Sequence, residues 1–112
     1  MKVMTTSSPF GSRTRTRVLL GLELLEESHA RELARILALG LSTVQKAIRS
    51  LELEGLVAGR TLGRTRSYRI HPGYFAVREL RGLTRRLAEA DEDLRLRVGA
   101  RRSRPRRTGK PL

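Results

Sequence analysis

Apolar residues recur at helical spacing through the first half of the chain. Val18, Leu22 and Leu25 lie at i, i+4 and i+7, with Leu19 and Leu24 beside them, which predicts an amphipathic helix. Ser12 stands just before it, and its hydroxyl can accept a free backbone N–H, so the helix is expected to start at Arg13 and to end at Glu26-Glu27-Ser28. Leu33, Ile36 and Leu37 mark a short second helix whose other face carries Arg31, Glu32 and Arg35. Ala38-Leu39-Gly40 interrupts it. A third helix is expected over residues 41–54, with Val44, Ala47, Ile48 and Leu51 inward and Ser42, Thr43, Gln45, Lys46 and Arg49 outward. Gly55 suits its C-terminus.

From Leu56 the period shortens. Residues 56–61 and 65–70 read as two strands joined by Leu62-Gly63-Arg64, a hairpin whose glycine tolerates positive φ. Arg66, Tyr68 and Ile70 share one strand face, with Tyr68 and Ile70 expected inward and Arg66 near the exposed tip. His71-Pro72-Gly73 breaks the strand. Ala76, Leu80, Leu83, Leu87, Ala90 and Leu94 then alternate spacings of four and three, predicting one long helix over about residues 74–97. This seam can pair with a second copy or cover the domain's own first helix. One small domain has little core to fill both faces, which favours a homodimer contact at Leu80, Leu83 and Leu87.

These elements divide the chain into an N-terminal arm (1–11), a helical domain with a small hairpin (12–73), a C-terminal helix (74–98) and a basic tail (99–112). Phe10 is expected to tuck against the core, and the tail, with almost nothing to bury, to be disordered. The fold class is mainly α with a small β-hairpin. The 112 residues allow one domain.

Charge adds a partner class. Lys and Arg number 24 against 11 Asp and Glu, a formal net charge of +13 that favours polyanions, nucleic acid first. Part of the surplus sits in residues 95–112, which hold 8 basic and no acidic side chains, so the folded part carries less. That tail can add sequence-independent DNA affinity or serve only solubility. Cysteine is absent, which excludes disulfides and thiolate metal sites and fits a cytoplasmic protein. No apolar run is long enough to span a membrane, and none behind Lys2 makes a signal peptide.

The central segment carries the functional reading. Two helices joined by a tight turn can lock at a fixed angle, one bracing the backbone while the other enters the major groove of duplex DNA. The entering helix must show short polar or basic groups outward, as residues 41–54 do. Ser42, Thr43 and Gln45 can hydrogen-bond bases or phosphates, Lys46 and Arg49 can neutralise phosphates, and Arg49 can read guanine. Capping alone would justify one of the two hydroxyls. Arg60, Arg64 and Arg66 cluster around Gly63, and such a basic finger can reach a narrow minor groove or the backbone.

Phe10-Gly-Ser-Arg-Thr-Arg, Arg31-Glu-Leu-Ala-Arg, Leu41-Ser-Thr-Val-Gln, Leu51-Glu-Leu-Glu-Gly-Leu-Val and Gly63-Arg-Thr-Arg-Ser-Tyr-Arg-Ile together resemble the ArsR-like winged helix-turn-helix regulators, over about residues 10–82. The resemblance implies a dimeric double-stranded-DNA-binding transcription regulator, often a repressor. Its recognition helix would lie at residues 41–54 and its wing at 56–70, with the first and last helices commonly building the dimer. Two positions depart from the pattern: Ala38 replaces the usual turn glycine and Gly40 the usual polar cap. Metal-sensing members use Cys, or His with carboxylates. This chain has only His29 and His71, expected as an ordinary surface group and a turn residue, so no metal or other cofactor is expected.

Other classes fit less well. A winged-helix interaction adaptor with an incidental basic face is the alternative, but it needs no polar-basic stripe on the third helix. RNA readers stack bases on exposed aromatics, and Phe10, Tyr68, Tyr74 and Phe75 form no such pair on a strand. No nucleophile–base arrangement, phosphate-cradling loop or paired carboxylates marks an enzyme. Asp91-Glu92-Asp93 reads as a solvated acidic patch or a partner for the arginines that follow. Operator and effector are not legible.

Overall fold

A computed structural model describes residues 8–102. In chain order the elements are α1 (Arg13–Leu25), β1 (Ser28–His29), α2 (Ala30–Leu37), α3 (Leu41–Leu53), β2 (Val57–Leu62), β3 (Thr65–Ile70), α4 (Val77–Ala90) and α5 (Glu92–Arg102). Ser12 caps α1 as its sequence position predicts: its Oγ accepts from Arg15 N at 3.1 Å. The expected inner faces are inward. Val18, Leu19, Leu22, Leu33, Leu37, Val44, Ile48 and Leu51 are all nearly inaccessible and form one core. Each such side chain contributes roughly 1.5–3 kcal/mol by leaving water. Phe10 packs against this core from the arm.

The α2–α3 turn is tight because Ala38 takes a left-handed conformation, φ 57° and ψ 46°. Its N–H and that of Leu39 return to carbonyls of the last turn of α2. Two arginines satisfy further carbonyls there. Arg17 Nη1 donates to the Leu37 carbonyl at 3.0 Å and Arg97 Nη1 to that of Ile36 at 3.4 Å. Burial, with Arg13 nearby, lowers the pKa of Arg17. Gly40 is the N-cap of α3 and supplies no side-chain bond.

The sheet is antiparallel with strand order β1-β3-β2. β2 and β3 form the expected hairpin, but Leu62 pairs with Thr65, so the loop is Gly63-Arg64 alone. Gly63 supplies the positive φ, 64°, at the first loop position, the pattern of a type II′ turn. Gly59 serves a different need. A Cβ there would lie 2.9 Å from Tyr68 Cε1 and 3.0 Å from Arg66 Nε, so any larger residue would force those side chains to shift. β1 pairs Ser28 with Tyr68 and His29 with Ser67.

The expected long C-terminal helix is two helices. Asp91, at φ −101° and ψ 84°, ends α4, and its Oδ1 accepts from Leu94 N at 3.0 Å to cap α5. Glu92 and Asp93 then favour the positive end of the α5 dipole. α5 turns back onto α1 and α2, burying Leu94 and Val98. Residues 99–102, expected in the tail, are helical; residues 103–112 and 1–7 lie outside the described set.

Candidate nucleic-acid interface

The two faces of α3 separate cleanly. Val44, Ala47, Ile48 and Leu51 are buried, while Ser42, Thr43, Gln45, Lys46 and Arg49 are all exposed. Among the described residues neither Lys46 nor Arg49 enters an ion pair. The outer face therefore presents hydroxyl, amide, ammonium and guanidinium groups to solvent.

The hairpin arginines differ from one another. Arg64 occupies the turn, exposed and, among the described residues, without an ion pair. Arg60 is held by Glu27 through two parallel bonds, Nε to Oε2 at 2.9 Å and Nη2 to Oε1 at 3.0 Å. Those bonds from Arg60, with another from Ser67, hold the Glu27 carboxyl at a pKa of about 2. They raise the pKa of Arg60 in turn. Arg66 reaches Glu52 on α3 at 3.3 Å and lies 5.8 Å from the centroid of the Tyr68 ring. Among the described residues, six of the eight expected contact residues thus lie on open surface without an ion pair, while Arg60 and Arg66, also exposed, pair with carboxylates of the same chain.

Among the solved structures that match is the crystal structure of the adhesin competence repressor from Streptococcus pyogenes, at 22% sequence identity and a TM-score of 0.55. The match covers 80% of this chain and 63% of that one. The fold is a winged helix. No family model and no curated protein matches the chain, so the ArsR-like reading rests on the motifs alone.

In this winged helix the three expected dimer leucines part company. Leu80 is buried in the protomer's own core, Leu87 is half-buried against it, and Leu83 remains 44% exposed. The cause is the packing of α4 on α1. There Thr84 and Ala88 bury completely, and Glu23 of α1, only 7% exposed, accepts from Thr84 Oγ1 at 3.1 Å and Arg81 Nε at 3.2 Å. Phe10, Tyr74, Leu80 and Leu83 line an open groove of about 530 Å³, with Phe75, 93% exposed, next along the chain.

Both histidines act locally. His29 Nδ1 accepts from Glu32 N and caps α2, and His71 Nδ1 accepts from Gly73 N within the turn. Among the described residues no group of three or more His, Asp or Glu could hold a metal ion, and no helix is long and apolar enough to cross a membrane. Asp93 accepts from Arg97 at 2.9 Å, one of the arginine pairings expected for the acidic run. Sequence reasoning missed Arg15. It donates to the Phe10 carbonyl at 2.6 Å and to Ser50 and Glu54, joining the arm, α1 and the end of α3. It missed Glu27 and Glu52 as well. Their partners lie 33 and 14 residues away, and no local spacing signals them.

Proposed function

We propose that this chain is a sequence-specific, double-stranded-DNA-binding transcription regulator that works as a homodimer and a repressor. α3 reads base edges in the major groove and the wing grips the adjacent backbone or minor groove. One observation carries the reading: the polar and basic side chains of α3 share one exposed face, with Arg64 exposed at the wing tip. The similar winged-helix structure bears the name of a repressor, which favours that sense of regulation. Leu83 and Phe75, exposed beside the groove, favour a second copy there, while Leu80 supports the contact from within the core.

Selection of bound sequences from random duplex DNA, with the mass of the complex measured by light scattering, tests this reading. The expected product is a two-fold site with half-sites roughly 34–36 Å apart, bound by two copies. No enrichment over random duplex at moderate salt overturns it and leaves the adaptor reading.

A further inference from the structure

The wing is anchored at one point by a carboxylate that the DNA-binding reading does not use. Glu27 sits in the short link between α1 and β1, where Glu26 adopts φ 72° and ψ −44°. Few residues other than glycine take that backbone conformation, and it persists only where surrounding contacts hold it. The turn delivers Glu27 to the wing. Both its oxygens accept from Arg60 of β2, whose partner across the ladder is the buried Ser67 of β3. One carboxylate therefore ties β2 directly, and β3 through its ladder with β2, to the end of α1. Ser67 also pairs with His29 of β1, so the tie continues the sheet onto the body of the domain.

We propose that Glu27 is a positioning residue for DNA binding: its fork with Arg60 fixes the angle at which the wing presents Arg64, and Arg60 works within the protein instead of on phosphate. This role rests on the DNA-binding reading above. It reverses the expectation for Arg60 drawn from the cluster around Gly63. It also makes an acidic residue favourable to the binding of a polyanion, opposite to what simple electrostatics requires. A phosphate contact tolerates lysine, a point charge, but a two-bond fork needs the planar guanidinium.

The test is a salt titration of binding to the selected duplex by the full chain and its Glu27→Gln, Arg60→Lys and Arg64→Gln variants, with thermal melts and hydrogen exchange of the β2 and β3 amides alongside. Arg64→Gln should lower the slope of log affinity against log salt by about one, as a lost phosphate contact does. Glu27→Gln and Arg60→Lys should each weaken binding about two- to fivefold with the slope unchanged, and should speed exchange in the wing while α3 stays protected. Tighter binding by Glu27→Gln, or wild-type binding by Arg60→Lys, overturns the proposal, because Arg60 would then serve as a phosphate contact restrained by Glu27. Equal exchange in wild type and Glu27→Gln overturns it too. If the unaltered chain binds no duplex at any salt, the DNA-binding reading itself fails, and that failure shows before any variant is compared.

Discussion

The third helix and the wing look alike as sequences, since each places basic side chains beside small polar ones, yet the structure uses them differently. On α3 the outward cations, Lys46 and Arg49, have no ion-pair partner among the described residues. On the wing, Arg60 and Arg66 answer Glu27 and Glu52, and among the described residues Arg64 has no ion pair. The wing is a two-stranded ribbon beyond the short β1 and has little apolar surface to hold it, with Thr61, Leu62 and Thr65 all exposed. α3 is held by four buried apolar side chains and needs no charge for that purpose. An arginine's partners within the fold thus depend on what else holds its element in place.

The largest test removes what holds α3. Leu51→Ala should cost about 2–5 kcal/mol of stability in chemical denaturation, because the residue is fully inaccessible beneath the outer stripe. A loss below about 1 kcal/mol would mean that α3 is not anchored by its inner face. Next, Arg49→Ala should cost about 1–3 kcal/mol in binding to a selected duplex and relax the preference at one base pair. Equal weakening toward every duplex would make Arg49 a backbone contact like Arg64, and the contrast between helix and wing would narrow.

Smaller effects probe the joints. Ala38→Gly should raise stability by about 0.5 kcal/mol, as relief of the left-handed conformation outweighs the added freedom of the unfolded chain. The Glu27–Arg60 fork should show in acid. Because the folded carboxyl titrates at about 2 against an ordinary 4.5, its stabilisation is complete above about pH 4.5 and is lost as pH falls toward 2. Comparing the acid titration of wild type with that of Glu27→Gln isolates it. The two curves should converge near pH 2, and a constant gap between them would mean that the fork contributes nothing.

Much of the architecture was legible because its signals are local. The Ser12 cap, the inner faces of the first three helices and the glycine of the hairpin each lie within one or two turns of what they determine. The continuous spacing from Leu80 to Leu94 hid the break at Asp91, although Asp91-Glu92-Asp93 is itself a helix-start signal. The outer face of α3 was legible from periodicity alone. The allegiance of Arg60 and Arg66 was not, since it depends on tertiary pairs with Glu27 and Glu52, and neither was the burial of Leu80, which depends on how α4 meets α1.

The central claim is that the outer face of α3 meets duplex DNA. A backbone amide shift titration with a selected duplex tests it most directly. The largest changes are expected across residues 41–49 and around Gly63-Arg64, with α5 little changed. Shifts confined to α4 and α5, with α3 silent, would contradict it.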